Sequence, residues 1–516
     1  MNARRGALLI ILATLAAFAL RLVLLHAHPL REDEAIYSMW ARAVAHDPWF
    51  LHTWPDKPPL FLWMQAAALA LFGATDAGAR LLSVFAATAT VPLAAAAARR
   101  LWPRERTRAA VAAAWLLALN PYAISFAPTA YTDTLLLFWG TLALALGLRG
   151  RWLGAGLALG AAIMTKQQGL LYVPLLGALA LACAGQVTRT RALGRLALGA
   201  AIVLLPILAW DAVRWASAPS PWALGVQNYG ALRLAPLDAW LARARGWGNL
   251  LRYLGGNWAG WLALLGLALA GALAAMGPRP DPDTPYHRGA WVLALWALGF
   301  LLLHMITTVQ IWDRYLLPLG PVIALLVGGW AAMASRSQRA GAGAVGALAA
   351  VALLAWPAAI AARGGFPIGG DHGAYDGLNE ALAWVAAQGP QKQVLYHNAL
   401  GWNAQYTLYD AVQAGQIELR WFASSAALAD NAAKSAWLPR TLIEPNWAPS
   451  PYLASDLAQR GLALAAQLRV GNMRVYTIVE SDHAQAACTW CVNRAAPMPP
   501  WPLVFPFDAS RATPAP

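Results

Sequence analysis

The feature that most restricts the fold of this chain is the alternation of long apolar runs with short arginine clusters. Charged residues make up only 12% of its 516 residues, about half of their usual share in a soluble domain. Because about 20 mostly apolar residues can cross a bilayer as a helix, the pattern predicts a polytopic α-helical membrane protein with about 11 transmembrane helices. We place the spans near residues 6–26, 79–101, 108–127, 132–148, 153–169, 170–187, 195–215, 252–276, 289–309, 314–334 and 340–362.

The arginine clusters predict the orientation of these helices. They occupy every second loop, as expected of cytoplasmic loops, so the N-terminus is predicted to be cytoplasmic and the C-terminal part extracytoplasmic. The arginines do not form one continuous basic face, so the net charge of +14 does not indicate a nucleic-acid partner. The clusters are Arg4 and Arg5; Arg99, Arg100, Arg104, Arg106 and Arg108; Arg149 and Arg151; Arg189, Arg191 and Arg195; Arg279 and Arg288; and Arg336 and Arg339.

Two domains follow from this division, a transmembrane domain over 1–362 and an extracytoplasmic α/β domain with a tail over 363–516. The first run is long enough to stay as an uncleaved helix. The first outward loop, 27–78, is long, and its apolar piece from Leu60 to Phe72 is too short to span, which suits a helix in the membrane interface. A second outward loop, 216–251, is rich in Trp, Tyr and Pro and is a candidate substrate entrance.

The C-terminal part has the pattern of a small α/β domain. After an amphipathic segment from Gly377 to Gln388, the strand-like stretches QVLYH, IELRWF, WLPRTLIE and MRVYTIVE flank a helical SSAALADNAAKS. The cysteines indicate no zinc site: Cys183 lies in an apolar run and suits packing, while Cys488 and Cys491 form a single CTWC pair. That pair is a local disulfide or two free thiols.

An acidic pair, Asp33-Glu34, directly follows the first span, beside Tyr37. Carboxylates there could stabilise the N-terminus of an interfacial helix. A carboxylate at a low-dielectric boundary could also act as a general base on an acceptor hydroxyl, and we favour this role for Asp33. Asp133, at the start of a later outward-side span, is a second candidate, because acids within membrane segments are costly to keep. It could assist Asp33, bind a divalent cation or cap its helix.

Three cations lie at the predicted outward ends of the helices. Lys57 is followed by two prolines, which hold the backbone and suit a positioned ammonium for a phosphate, although a lysine at the membrane interface is the common alternative. Lys166 is followed by Gln-Gln, which adds hydrogen-bond donors. Arg314 lies between Asp313 and Tyr315, either in a helix-start salt bridge or as a second anion clamp. For His304, within an apolar run, we favour a packed, hydrogen-bonded role over ligation.

The ordered set of these motifs resembles a known family. REDEAIYSMWA at 31–41, DKPPL at 56–60, YTD at 131–133, TKQQG at 165–169 and DRYLLPLGP at 313–321 resemble the polytopic glycosyltransferases with the C-type fold that use lipid-phosphosugar donors. Among these, the protein O-mannosyltransferases and the lipid A aminoarabinose transferase group are the most similar. The resemblance covers roughly residues 6–335. Signatures of zinc proteases, P-loop ATPases and serine hydrolases are missing from the sequence.

The resemblance implies a reaction and roles for individual residues. It implies transfer of a sugar from a polyprenyl-phosphate donor to a hydroxyl of a lipid, glycan or protein, with inversion, at the outer face of a bacterial inner membrane. Asp33 and Asp133 match catalytic acids. Lys57 and Arg314, with Lys166, match residues that bind the donor phosphate, although many relatives read Gly-Pro after this last lysine. Supporting roles are expected for Glu34, Tyr37 and Tyr315.

The need for a metal is left open by the sequence. Apart from a divalent cation held by Asp33 and Asp133, no cofactor is expected. A transporter or flippase of lipid-linked sugars is the alternative function, although it should show paired halves with interrupted helices, and no such repeat is visible. A non-enzymatic scaffold would leave the buried acids unexplained.

Overall fold

A computed structural model describes residues 1–184, 187–230, 232–274, 286–334, 353–370 and 372–484. Its first part is helical, and its C-terminal part contains a five-stranded sheet. The helices of the first part are α1 (Ala3–Leu22), α2 (Glu32–Ala43), α3 (Pro59–Phe72), α4 (Asp76–Leu101), α5 (Arg106–Ala118), α6 (Pro121–Phe126), α7 (Thr132–Gly147), α8 (Trp152–Thr165), α9 (Tyr172–Ala182), α10 (Arg189–Arg214), α11 (Pro221–Tyr229), α12 (Trp240–Leu251), α13 (Trp258–Ala274), α14 (Tyr286–Ile306), α15 (Leu319–Ala334) and α16 (353–361). Short 3-10 helices cover Gln167–Leu171, Leu237–Ala239, Arg252–Leu254 and Asp313–Leu316.

The long helices bury small residues and expose large apolar ones. In α1, Ala13 and Ala17 are buried, whereas Leu8 and Leu15 are 55% and 58% exposed, and in α10 Leu205 is 63% exposed. Such exposure is unfavourable in water but natural in lipid, where small residues allow helices to approach one another closely. The structure therefore agrees with the prediction of an integral membrane protein.

The number of spans stays a prediction. Among the described residues, five helices are long and apolar enough to cross a membrane, and six if the stretches 237–254 and 258–270, which meet at 84°, form one broken span. Shorter apolar helices within the same part are α3, α7, α8 and the stretch Gln167–Ala182. Part of the last predicted span, 340–362, lies outside the described residues.

Several predicted spans have different ends because polar residues interrupt them. The span predicted over 108–127 is divided after α5, since the Asn120 side chain accepts a hydrogen bond from the Ala123 amide and Pro121 begins α6. The span predicted over 153–169 ends at Thr165, where the backbone becomes extended at Lys166. The predicted short helix at Leu60–Phe72 is α3, and the predicted loop 216–251 contains α11 and α12.

The C-terminal domain is confirmed as an α/β unit with a mixed sheet. Its strands β1 (Gln393–His397), β2 (Ile417–Trp421), β3 (Arg440–Pro445), β4 (Leu462–Val470) and β5 (Met473–Glu480) have the order β2-β1-β3-β5-β4. Strand β1 pairs parallel with β2 and β3, and β5 pairs antiparallel with β3 and β4. The sequence analysis missed β4 because its alanines carry little strand preference. The helices are α17 (Leu378–Ala386), α18 (Gly401–Thr407), α19 (Tyr409–Gln413), α20 (Ser425–Lys434), α21 (Leu453–Ala458) and α22 (Ser481–Ala484).

The C-terminal domain packs directly on the first outward loop. Helix α18 lies against α2, and the Asn403 side chain donates to the Leu30 carbonyl. The Arg42 guanidinium, on α2, makes two 2.9 Å contacts with the Asp410 carboxylate. These contacts hold the two ends of α2. The predicted boundary at 362/363 stays a prediction, and Cys488 and Cys491 lie outside the described residues.

Candidate active site

The first turns of α2 and α7 bring two carboxylates to one buried guanidinium. Arg314 Nη1 lies 2.6 Å from Asp33 Oδ2, and its Nε lies 3.9 Å from Asp133 Oδ2. Asp133 also accepts a hydrogen bond from the Lys166 ammonium. Both carboxylates benefit from the positive ends of their helices. Residues that are 281 positions apart in the chain thus form one continuous charged network.

Lys57 forms a second buried pair beside this network. Its Nζ lies 2.9 Å from Asp56 Oδ1 and 2.8 Å from the Tyr229 hydroxyl, at the end of α11. Pro58 and Pro59 fix the turn, with Pro59 at the first position of α3. The Tyr37 ring centroid lies 5.6 Å from the same ammonium. The lysine is therefore held in one position, as its two prolines predict.

One cavity joins the cations. It has a volume of about 450 Å³ and is lined by Lys57, Lys166 and Arg314 together with Tyr37 and Tyr315. Apolar side chains form much of the rest of its wall, from α9, α11, α14 and their flanking segments; they are Leu170, Leu171, Trp222, Val226, Leu232, Leu303 and Val309. The predicted entrance loop therefore does line the cavity. A mixed wall of this kind suits an amphiphilic ligand with an anionic group.

The pairing of acids with cations shifts the pKa values in the site and leaves one buried donor without an acceptor. Burial raises the pKa of Asp33, but Arg314, together with Arg31 and Lys57, outweighs this effect and holds that pKa below its ordinary value. Burial lowers the pKa of Lys57, and Asp56 only partly opposes the shift. Arg314 Nε is buried and has no hydrogen-bond acceptor. A buried donor without an acceptor is costly, so this atom is suited to an anionic ligand.

Comparisons with known proteins address the fold of the chain. Residues 56–210 match a family model described as dolichyl-phosphate-mannose-protein mannosyltransferase. Among solved structures, ArnT from Cupriavidus metallidurans bound to undecaprenyl phosphate is similar with a TM-score of 0.64 at 18% identity, over 92% of this chain and 98% of that chain. The chain has the C-type glycosyltransferase fold. The similarity in fold confirms the predicted fold class, and the match to the mannosyltransferase model agrees with the predicted glycosyltransferase activity.

A second solved structure of similar fold is more distant from this chain. The oligosaccharyltransferase AglB from Archaeoglobus fulgidus, in complex with an inhibitory peptide and a dolichol-phosphate, has a TM-score of 0.51 at 13% identity. The similarity covers 95% of this chain and 75% of that chain. No curated protein sequence matches significantly. The chain therefore resembles these two solved structures in fold much more than in sequence.

The structure places Glu34 outside the cavity, and outside the network that joins Asp33 and Asp133 to Arg314. Its carboxylate accepts two hydrogen bonds from the Arg80 guanidinium, at 2.9 and 3.0 Å, and others from the amides of Arg31 and Ala130. These four hydrogen bonds occupy both oxygens of the carboxylate. The geometry thus assigns it to holding the start of α2 next to Asp33, and a direct supporting role in the reaction is not favoured.

We expect the substitution Glu34→Gln to destabilise the protein by about 3 to 5 kcal/mol, because it leaves the Arg80 guanidinium buried without a carboxylate. The melting temperature of the detergent-purified protein is the measurement. Glu32→Gln is the matched control, since this exposed neighbour loses the same charge and should cost less than about 0.5 kcal/mol. A stable Glu34→Gln protein that fails to transfer sugar would restore the supporting role.

The break after α8 explains the Gln-Gln-Gly that follows Lys166. Gln167 Nε2 donates to the Asp56 carbonyl at 2.9 Å, and Gln168 Nε2 donates to the Tyr315 carbonyl at 3.3 Å. A Cβ on Gly169 would lie 2.5 Å from the Ala162 carbonyl carbon, so only glycine fits there. The two glutamines therefore connect the segments that carry the cations.

Two alternatives left open by the sequence are decided by geometry. The Asp313 carboxylate accepts from the Arg314 and Gly369 amides, at 2.8 and 3.2 Å, while the Arg314 guanidinium reaches the acids of α2 and α7. A simple salt bridge between Asp313 and Arg314 at the helix start is therefore wrong.

His304 is packed as predicted, with Nδ1 2.7 Å from the Phe300 carbonyl, although its side chain also lines the cavity.

Sequence reasoning missed Tyr229 and the pairing of Asp56 with Lys57. Only the adjacency of Asp56 and Lys57 indicated the pair, and the position of Tyr229 in an aromatic-rich loop was a weak indication of its contact with Lys57.

The divalent cation stays a prediction. The described residues contain no group of three His, Cys, Asp or Glu side chains suited to a metal, and Arg314 contacts both carboxylates. A metal between Asp33 and Asp133 would have to displace that guanidinium.

Proposed function

We propose that the chain transfers a sugar from a polyprenyl-phosphate donor to a hydroxyl of a lipid, glycan or protein acceptor, with inversion at the anomeric carbon. The observation that carries the proposal is the cavity shared by Lys57, Lys166 and Arg314, with Asp33 bonded to Arg314. This places a candidate base beside a candidate phosphate site, which is the arrangement that displacement of a sugar from a phosphate requires.

The apolar side chains in the wall of the cavity favour a lipid-linked donor. Leu170 and Leu232 line it and are 52% and 62% exposed, so its apolar side continues to the surface that faces lipid. A polyprenyl chain can follow this path while its phosphate reaches the cations. The similar ArnT and AglB structures hold undecaprenyl phosphate and dolichol-phosphate respectively, which supports the same donor class here.

The charge balance suggests how the donor prepares the base. Lys57, Lys166 and Arg314 face Asp56, Asp133 and Asp33, one carboxylate for each cation. A donor phosphate therefore has to compete with Asp33 for Arg314. When the phosphate takes over this contact, the carboxylate loses the interaction that lowers its pKa and becomes a stronger base.

The reaction then has a direct physical description. The acceptor oxygen attacks the anomeric carbon from the face opposite the phosphate, and its proton passes to Asp33. The bond between the anomeric carbon and the phosphate oxygen breaks, and its electron pair leaves with the phosphate. The charge that grows on this oxygen is stabilised by Arg314 and Lys57 in a site partly shielded from water, where such contacts are strong.

We also propose that this site faces the outside of a bacterial inner membrane. Arg80, near the site, and Arg99 lie towards opposite ends of α4, a helix of 26 residues that spans roughly 39 Å. The arginine-rich loops and the cavity are therefore on opposite sides of the bilayer, and arginine-rich loops face the cytoplasm.

One experiment tests the reaction and the orientation together. The full-length chain is placed in sealed vesicles of known orientation and given labelled short-chain polyprenyl-phosphate sugars and an extract of envelope acceptors. Label should move to an acceptor only when the donor is added on the side of the C-terminal domain. Movement of intact donor across the bilayer without transfer would instead establish the flippase alternative.

The pKa of Lys57 predicts a pH dependence. Because burial lowers this pKa, we expect kcat/KM for the donor to fall as the pH rises through it, as the ammonium loses its charge. Lys57→Arg should weaken this alkaline decline, since a guanidinium stays charged, and Lys57→Ala should raise the donor KM about tenfold at neutral pH. The measurement is kcat/KM from pH 6 to 10. Identical profiles for the wild type and Lys57→Arg would exclude this role.

A further inference from the structure

A second charged cavity lies at the end of the molecule opposite the proposed site. It has a volume of about 600 Å³, and four arginines line it: Arg99, Arg100, Arg106 and Arg149. These arginines come from two clusters of the sequence pattern and lie at three places in the fold, the end of α4, the start of α5 and the turn after α7. We call it the arginine cleft.

The arginine cleft has no internal counter-charge. None of its described lining residues is acidic, and none of the four arginines forms an ion pair among the residues that the structure describes. All four are exposed. Like charges held around one concavity repel one another, so an anion placed there would be stabilised by several guanidinium groups at once.

The turns that carry these arginines are well anchored. Trp102 is buried, and its Nε1 donates to the Leu325 carbonyl at 3.0 Å. Trp152 follows the turn that carries Arg149 and is also buried, packed against Gly147. Because both turns are fixed by buried indoles, the guanidinium groups are held around the cleft at little further cost in backbone ordering.

The cleft is also continuous with surface that faces lipid. Its wall includes Ala3 and Ala7 from the first turns of α1, and the same helix exposes Leu8, Ile11 and Leu15 further along. A ligand with a charged head and apolar chains could contact both the arginine cleft and the exposed apolar face of α1. A free anion would contact only the cleft. We propose that the arginine cleft binds the headgroup of an anionic phospholipid of the cytoplasmic leaflet, with its acyl chains along α1.

The chain offers a charge-matched control for the test. Arg189, Arg191 and Arg195 at the start of α10 are exposed, lie on the same predicted side and do not line the cleft. Two triple variants, R99Q/R106Q/R149Q and R189Q/R191Q/R195Q, therefore lose equal charge. If anionic lipid is attracted to any basic surface, its binding should weaken equally in both variants. If the cleft is a specific site, binding should weaken only in R99Q/R106Q/R149Q.

The experiment titrates the detergent-purified full-length protein with phosphatidylglycerol, phosphatidylcholine or inorganic phosphate and follows lipid retention by native mass spectrometry. The wild type should prefer phosphatidylglycerol, the cleft triple should bind it about tenfold more weakly, and the α10 triple should change less than about twofold. A lysine version, R99K/R106K/R149K, should stay within about threefold, which also guards against a misfolded glutamine variant. Equal losses in the two glutamine triples, no preference among lipids, or equal competition by inorganic phosphate would overturn the proposal.

Discussion

Replacing Asp33 by Asn should reduce sugar transfer by about 10³-fold, within the range that a positioned general base contributes. The amide keeps the shape of the side chain and can still accept a hydrogen bond from Arg314, but it cannot take the acceptor's proton. Initial rates with a labelled polyprenyl-phosphate sugar at saturating donor measure the loss. Because the Asp33 side chain is 35% exposed and Arg314 retains Asp133, we expect little change in melting temperature.

The neighbouring Glu32 provides the control for this result. It lies on the same turn of α2 and is exposed, so Glu32→Gln removes the same charge at nearly the same place. Its transfer rate should stay within about twofold of the wild type, since an exposed charge is largely screened. A well-folded Asp33→Asn protein with wild-type rates would remove Asp33 from the mechanism.

The second large effect is expected from Arg314→Lys, which should lower kcat about 100-fold, roughly 2.7 kcal/mol of transition-state stabilisation. Lysine keeps the positive charge between Asp33 and Asp133, so the acids are not left without a cation. It loses the planar fork and the unsatisfied Nε, through which the guanidinium can bind the leaving phosphate while it still contacts an acid. Steady-state kinetics with varied donor concentration separate kcat from KM.

Arg233→Lys is the matched control for this arginine. Arg233 is exposed and adjoins Leu232 at the cavity wall, so its replacement changes the same residue type near the entrance without touching the charged network. Its kcat should stay within about twofold of the wild type. If Arg314→Lys raised only the donor KM and left kcat unchanged, the arginine would contribute uniform binding and no preferential stabilisation of the transition state.

Most of the architecture could be predicted from the sequence because the signals were local. Apolar runs and arginine clusters indicated a polytopic protein, and β1 and β5 were located at their observed bounds by their alternating and β-branched residues. The order of the motifs along the chain also indicated the residues of the candidate site. Asp33, Lys57 and Arg314 were selected on local context and resemblance. In the structure Lys57 and Arg314 line one cavity and Asp33 contacts Arg314, and their roles stay proposals.

The parts that could not be predicted depend on long-range contacts. Nothing near Glu34 in the sequence indicates that Arg80 occupies both of its oxygens, so it could not be distinguished from Asp33. The contact between Tyr229 and Lys57 spans 172 positions and joins two loops. Likewise, the arginine clusters indicated only an orientation, because their convergence on one cleft depends on how α4, α5 and α7 pack.

The packing of α18 against α2 has a consequence for how such enzymes diversify. Asn403 and Asp410 hold the two flanks of the helix that presents Asp33, yet neither belongs to the charged network. A chain shortened before its sheet would keep every ionisable group of the reaction centre and still lose the supports that aim the base. Inherited changes in the C-terminal domain can therefore alter turnover without touching the donor, so catalytic tuning is available outside the charged network.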